Sequence, residues 1–321
     1  MDLRQLRYYL EIVDQGSITR AANKLGVAQP ALSLHLKNME EELGTALLLR
    51  TSKGVQPTAA GTILARRSRT IVDDFTRLKE EIQSLENDPT GTVRIGLPGT
   101  ISGIVAIPLL NTLRERYPRI TLTVAEAMSG FVGEWLKDGQ VDIGVLYAPV
   151  SEKGLSAVKL VEEELVVISS PGTPLDPVLT LPDLTGNSLI LPSRGHGLRD
   201  LLDRHASEEG VELAVTVEID SYANIAKLVA SGVGISILPR HAVTAAATSG
   251  DLTISRFSYP GFWRKACIVP SPNRAPSRAE EVVISTFISL VQRLIADGSW
   301  SAARYIGPIK DSEEAREPER A

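Results

Sequence analysis

The chain has 321 residues, 43% of them hydrophobic, and a formal net charge of −5. That length allows two or three domains with substantial cores, and the acidic balance disfavours nonspecific nucleic-acid binding by the molecule as a whole. A single cysteine, Cys267, excludes a disulfide framework within the chain, and no apolar run is long enough to span a bilayer.

In chain order, a first helix is expected over residues 3–13. Ser17 then offers a hydroxyl to a free backbone N–H at a helix start, and Ala21, Ala22 and Leu25 fall on one face. Gly26 suits a helix stop that needs positive φ. A second helix begins near Gln29, with Pro30 in the first turn, where proline's missing N–H does no harm. Leu32, Leu36, Met39 and Leu43 recur at helical spacing as its buried stripe. Two short helices across a tight glycine turn form a helix-turn-helix arrangement.

The opposite face of the second helix carries Gln29, Ser33 and Lys37, each one turn apart, with Pro30 and Leu34 beside them. Such side chains can reach base edges and phosphates in a major groove. Residues 47–50 and Val55-Gln56 flank a Ser52-Lys53-Gly54 turn and read as a small wing hairpin. Arg50 and Lys53 on that wing are the expected phosphate contacts. A helical hairpin with a merely polar outer face would share part of this pattern. The wing, the covering first helix and the charge favour DNA: Arg4, Arg7, Arg20, Lys24, Lys37, Arg50, Lys53, Arg66, Arg67 and Arg69 outnumber the acids of this region.

Thr58 is placed to cap a long helix that runs to about Asn87, where Asp88-Pro89-Thr90-Gly91 breaks it. Leu64, Ser68, Ile71, Phe75, Leu78, Ile82 and Leu85 alternate at heptad spacing. The other faces are charged by Arg66, Arg67, Asp73, Asp74, Lys79, Glu80 and Glu81. A narrow seam of this kind wants one partner helix, so Leu64, Ile71, Phe75, Leu78, Ile82 and Leu85 are the expected dimerisation residues. The alternative is an amphipathic helix packed on its own domain. A two-fold dimer would set two recognition helices on two half-sites, which predicts double-stranded DNA with an imperfect palindrome as partner.

Residues 1 to about 87 resemble the N-terminal part of LysR-type transcriptional regulators, a family of winged helix-turn-helix proteins. The resemblance rests on Leu6, Ser17, Ala21-Ala22, Leu25, Val27, Gln29-Pro30-Ala31-Leu32-Ser33, Leu36, residues 40–44, Leu47, Arg50 and residues 58–61. Two positions depart from it: Leu48 stands where the family usually has Phe, and Leu34 where Arg or Lys is common. Leu34 and His35 would then read a different base pattern, for instance by apolar contact with a thymine methyl. The resemblance implies the same linker helix and a dimer, often a dimer of dimers, and RNA polymerase is a further candidate partner.

From Thr92 strands alternate with helices. Residues 93–97, 121–126 and 143–146 read as strands, with helices over 104–117 and 130–137 between them. Residues 189–238 repeat the pattern: strand 189–193, helix 198–209, strand 215–219, helix 221–231 and a final strand. The run Ser231-Gly232-Val233-Gly234-Ile235-Ser236-Ile237-Leu238 matches Gly139-Gln140-Val141-Asp142-Ile143-Gly144-Val145-Leu146. Two such halves predict two similar lobes, each with a largely parallel sheet. A strand at 264–269 and a helix at 281–295 complete the region. The expected α/β organisation is a winged helix-turn-helix over 1–58, a linker helix over 59–90 and an effector-binding domain over 91–298. Lobe one would be 92–162 plus 266–297 and lobe two 163–265, with a partly disordered C-terminal extension over 299–321. The resemblance implies a periplasmic-binding-protein type of fold for this domain, with crossings near 165–168 and 266–269.

Ligands of open α/β sheets bind beyond the carboxyl ends of strands. Pro98-Gly99-Thr100-Ile101-Ser102-Gly103 and Pro192-Ser193-Arg194-Gly195-His196-Gly197 are two such loops, each before a helix whose free N–H groups favour an anion. A small organic effector, a carboxylate with aromatic acids included, is expected between the lobes at Thr100, Ile101, Ser102, Ser193 and Arg194. His196, Met128, Ser129 and Tyr222 are the further wall residues. Each hydroxyl could instead be a helix cap, and Arg194 could pair with Asp200. Tyr147, Phe262 and Trp263 read as packing, and Cys267 as core.

His35, His196, His205 and His241 are too scattered for a metal site, so neither metal nor cofactor is expected. An enzyme is the first rival, but the Gly-x-Ser-x-Gly, phosphate-loop and His-Glu-x-x-His motifs are absent. A transporter's solute receptor is the second. Residues 1–15 carry charges throughout and lack the apolar core of a secretion signal, so a cytoplasmic location is expected. A regulator controlled by abundance alone, without an effector, is the remaining alternative.

Overall fold

The computed structural model describes residues 1–51, 54–84, 88–148, 156–272 and 274–308. Three helices open the chain: α1 (Leu3–Gln15), α2 (Ile18–Leu25) and α3 (Gln29–Leu43). Asp2 and Gln5 form a reciprocal capping box at α1, and the Ser17 hydroxyl accepts the Arg20 N–H at α2. Gly26, at φ 66°, ends α2 in the left-handed turn that the sequence pattern requires. Leu32, Leu36 and Met39 are buried, but Leu43 is 43% exposed. It stands in the last turn before Gly44 ends the helix and joins none of the apolar clusters, so the expected stripe stops at Met39.

A two-stranded wing follows, β1 (Leu48–Thr51) paired antiparallel with β2 (Gly54–Pro57). The Val55 N–H donates to the Gly16 carbonyl at 2.9 Å, which pins the wing to the α1–α2 turn. A Cβ at Gly54 would lie 2.2 Å from that carbonyl oxygen, and φ there is +128°, so only glycine fits.

The linker helix α4 (Ala59–Ser84) starts from Thr58, whose hydroxyl accepts the Gly61 N–H at 3.0 Å. Its first turns pack on the DNA-binding core. Leu64 is half-buried in that packing and Ser68 is fully buried. Ile63, Ile71, Phe75, Leu78 and Ile82 form the exposed apolar set instead. The helix turns Leu64 toward the apolar side of α1, where Leu6, Tyr9 and Leu10 form the core. Leu85 lies outside the described residues, as do Lys53 and the tail beyond residue 308.

The remaining chain forms two lobes. In the first, β3 (Gly91–Leu97), α5 (Gly99–Arg116), β4 (Ile120–Glu126), α6 (Ser129–Lys137) and β5 (Ile143–Tyr147) build a parallel order β4-β3-β5. Helix α5 begins five residues earlier than its expected start at 104, because Pro98 at the N-cap presets the turn and Gly103 is tolerated inside. The long strand β6 (Val158–Ser169) leads to the second lobe: β7 (Val178–Leu179), β8 (Leu189–Leu191), α7 (Gly197–Glu209), β9 (Val215–Glu218), α8 (Tyr222–Ala230), β10 (Ser236–Pro239), α9 (Arg240–Thr248) and β11 (Thr253–Phe257). Strand β12 (Phe262–Pro270) returns, followed by α10 (Arg278–Ala296) and β13 (Ala303–Tyr305).

The two lobes answer each other strand for strand. β5 pairs antiparallel with β12, and β10 pairs antiparallel with β6. β8 and β9 pair in parallel like β3 and β4. Along β6, Leu160 and Val161 belong to the first apolar core, and residues Leu165, Val166, Val167 and Ile168 to the second. Between them stand Glu162, Glu163 and Glu164, paired in register with Lys265, Arg264 and Trp263 of β12. The crossing point is therefore where the apolar run is broken by charge.

Candidate DNA interface and effector cleft

On α3, Gln29, Pro30, Leu34 and Lys37 are exposed and Ser33 is half-buried, all beside one another on the face turned away from α1 and α2. The Gln29 amide donates to the Ser33 hydroxyl at 2.8 Å, and Lys37 pairs with Glu41 at 3.4 Å. Leu34 is 58% exposed, an apolar side chain standing clear of the fold in the middle of a polar face. Arg50 is exposed on the wing. A helix with a polar, ungrooved outer face, flanked by a basic hairpin, is shaped to enter a major groove.

Between the lobes lies a cavity of about 660 Å³. The amino ends of α5, α6, α7, α8 and α9 all reach it, through Thr100, Met128, His196, Tyr222 and His241. Two of these ends are capped by side chains, α7 by His196 and α8 by Ser221. For α5, α6 and α9 the capping positions are Pro98, Met128 and Pro239, and no side chain caps them. Their first backbone N–H groups are donors without an intrahelical acceptor.

The floor is a buried polar cluster at the crossing of β6 and β12. Arg264 donates from Nε to Glu163 Oε2 at 2.8 Å, from Nη2 to the Thr100 hydroxyl at 3.1 Å and from Nη1 to the Tyr222 hydroxyl at 3.3 Å. Its guanidinium carbon sits 3.9 Å from the centre of the Tyr147 ring. The Tyr147 hydroxyl donates to Glu163 Oε2 at 2.8 Å. His241 Nδ1 lies 3.3 Å from Glu163 Oε1, outside hydrogen-bonding geometry, and neither that oxygen nor His241 Nε2 has a hydrogen-bond partner.

Burial by itself would raise the pKa of Glu163, but Arg264, His241 and Tyr147 outweigh it and hold the carboxyl below its ordinary range. Burial, reinforced by Arg264, holds His241 and His196 low, which keeps both imidazoles neutral at pH 7. Burial raises the Tyr147 and Tyr222 phenols. The lining thus presents neutral donors and aromatic rings, while Glu126 and Asp220 place carboxylates in the wall.

Of the residues read from the sequence, Thr100, Met128, His196 and Tyr222 line the cavity. Ile101 is fully buried in the first lobe's core and Ser102 is 9% exposed, because the expected loop is the first turn of α5 and turns both inward. Ser193 is engaged with Asp220, donating from its hydroxyl at 2.7 Å, and Arg194 is exposed outside the cavity wall. The Ser129 side chain lies outside the described atoms. Tyr147 is a wall residue and not mere packing.

Sequence reasoning passed over Glu163, His241 and Arg264. The available signal was three consecutive glutamates inside a long apolar strand, which require buried partners wherever both faces of the strand are covered. Among the described residues no three His, Cys, Asp or Glu side chains are grouped to hold a metal, and no helix is long and apolar enough to cross a membrane.

Comparison with known proteins covers both parts of the chain. Residues 3–62 match the model of the bacterial regulatory helix-turn-helix protein, lysR family, and residues 86–292 match the LysR substrate binding domain. The nitrogen assimilation regulatory protein Nac of Klebsiella aerogenes is 31% identical over 91% of this chain and 96% of its own. Among solved structures, a full-length OxyR variant from Pseudomonas aeruginosa superposes with a TM-score of 0.73 at 24% identity, covering 91% of this chain and 95% of its own. Full-length CbnR in complex with its target DNA gives 0.63 at 22%, covering 91% and 99%. A helix-turn-helix with a wing, joined by a long helix to a two-lobed domain with a central cleft, and matched to family models over both parts, places the chain in the LysR family of DNA-binding transcriptional regulators.

Proposed function

We propose that this regulator binds an imperfect palindrome as a homodimer and responds to a small cyclic or aromatic monocarboxylic acid held between its lobes. The DNA reading rests on the row of Gln29, Pro30, Leu34 and Lys37, exposed around the half-buried Ser33, with Arg50 on the wing. The dimer reading rests on α4, where Ile71, Phe75, Leu78 and Ile82 are 42–61% exposed on one apolar stripe. A helix seam of that width is covered by a second copy of itself.

The effector class follows from the cleft. Three helix ends without side-chain caps, beside the Thr100 hydroxyl, favour an anion there. Arg264 does not add a net positive charge, since Glu163 neutralises it, and Glu126 and Asp220 in the wall disfavour a second carboxylate. One carboxylate is therefore accommodated where a polyanion is repelled. Tyr147, Tyr222 and Met128 supply faces for a ring, and a cavity of about 660 Å³ is in the range of small-molecule sites. Effector binding would bias the relative disposition of the lobes, and through the dimer that of the recognition helices.

The observation that carries the reading is this convergence of helix ends on an aromatic-walled cavity. It is tested by thermal shift of the full chain against benzoate, cyclohexanecarboxylate, glutarate and neutral benzamide. A concentration-dependent rise with the ring monoacids, absent for glutarate and benzamide and reduced by Thr100→Val, is expected. Stabilisation by benzamide as strong as by benzoate would overturn the anion assignment, and no shift with any acid would favour a regulator controlled by its abundance.

A further inference from the structure

The strands that floor the cleft have a second face. Neighbouring residues of a strand point to opposite sides, so Glu164 and Trp263 look away from the cleft that Glu163 and Arg264 face. Behind them is a separate cavity of about 340 Å³, walled by Glu164, Arg240, Arg256, Trp263, Ala302 and Arg304. Helix α9 is the partition. His241 and Ala242 line the cleft, whereas Arg240 and Thr244, one turn apart, line the rear cavity.

Charge in the rear cavity is unbalanced, with three arginines against one carboxylate. Glu164 accepts from Arg240 Nη1 at 3.1 Å and from Arg256 Nε at 2.7 Å. Both arginines keep a share of open surface, 38% and 56% of their side chains. Arg304 has no carboxylate partner among the described residues, and its guanidinium carbon sits over the Trp263 ring, 3.9 Å from the centroid. The adjacent Lys265 and Glu162 satisfy each other at 3.3 Å and leave the surplus unchanged.

The wall that brings Arg304 here is built with strain. Ala302 is the one non-glycine residue with positive φ among the described residues, at 54°, and its carbonyl accepts the Glu164 N–H at 3.0 Å. The fully buried Trp300 anchors this segment on the lobe-one core, and β13 then pairs antiparallel with β6, with Ala303 opposite Glu163.

We propose that this rear cavity is a second ligand site, taking a compact dianion of the phosphate class, either inorganic phosphate or a phosphate monoester. Arginines from three elements, α9, β11 and β13, line this one cavity, and several guanidinium groups around one pocket suit a tetrahedral anion carrying its charge on one centre. A monocarboxylate would leave one positive charge unanswered. The site is independent of the cleft's occupant.

Isothermal titration of the full-length chain with inorganic phosphate at constant ionic strength, with succinate as the dicarboxylate comparison, tests this. One saturable phosphate site per chain is expected, with affinity falling at least about tenfold in Arg304→Gln. That variant removes none of the bonds to Glu164, so its fold is retained, which far-ultraviolet circular dichroism checks. Arg240→Gln should weaken binding similarly, while Thr100→Val in the cleft leaves it unchanged. Absence of saturable phosphate binding overturns the proposal. So does binding that survives Arg304→Gln and Arg240→Gln, binding lost instead on Arg50→Ala in the DNA-binding module, or a preference for succinate.

Discussion

Replacing Arg264 by Met removes the cation from the cleft floor while keeping an unbranched apolar stem against Tyr147. The Glu163 carboxylate, with no exposed side-chain surface, then keeps only the Tyr147 hydroxyl as a hydrogen-bond donor. Breaking one partner of a buried ion pair costs about 3–5 kcal/mol, because the remaining charge is left uncompensated. For a domain of this size about 1 kcal/mol moves the melting temperature by roughly 2–4 °C, so a fall of about 10 °C at pH 7 is expected in calorimetry.

The pH dependence has a defined sign. In the native protein the folded pKa of Glu163 lies below its ordinary value, so its stabilisation is full above the unfolded pKa and is lost as pH falls through the folded one. In Arg264→Met, burial becomes the dominant influence and raises the folded pKa. The variant's penalty is then greatest near neutrality and shrinks as the carboxyl protonates, so the gap to the native protein narrows between pH 7 and about pH 4. The double variant Glu163→Gln, Arg264→Met should recover a large part of the loss. A deficit under about 1 kcal/mol at pH 7, a gap that does not change with pH, or a double variant no better than the single one would refute the reasoning.

Three further outcomes are expected. Gln29→Ala should weaken operator binding by about 1–3 kcal/mol and relax base preference at one position, whereas Arg50→Ala should weaken all sequences alike and reduce the salt dependence; quantitative footprinting at two salt concentrations separates the two, and equal sequence profiles in both variants would remove Gln29 from base readout. Phe75→Glu, on a residue 42% exposed on the α4 stripe, should shift sedimentation velocity toward monomer at micromolar protein, and an unchanged dimer would assign the stripe to another role. Gly61→Ala would put a Cβ 2.0 Å from the Leu47 carbonyl and 2.5 Å from the Tyr9 hydroxyl, so α4 must lift from α1, costing about 2 kcal/mol or more in denaturant unfolding; a loss within error would mean the helix start adjusts freely.

The amino-acid sequence by itself determined whatever depends on neighbours along the chain. Ser17, Gly26, Pro30 and Thr58 act within one helical turn, and their caps and stops stand where local chemistry puts them. The apolar repeats of residues 93–146 and 189–238 likewise announce strands and helices, since burial of a face enforces its period. The cleft was legible only at strand ends, through Thr100, Met128, His196 and Tyr222.

Tertiary structure decided what depends on partners far apart in the chain. Ile101 and Ser102 turned inward because α5 starts at Gly99, and Leu64 turned inward because α1 lies beneath it. Glu163 and Arg264 are 101 residues apart, and only the antiparallel register of β6 and β12 brings them to 2.8 Å. Local pattern specifies which face of an element is apolar; which charges meet in the interior is set by register and crossing, and those are properties of the assembled sheet.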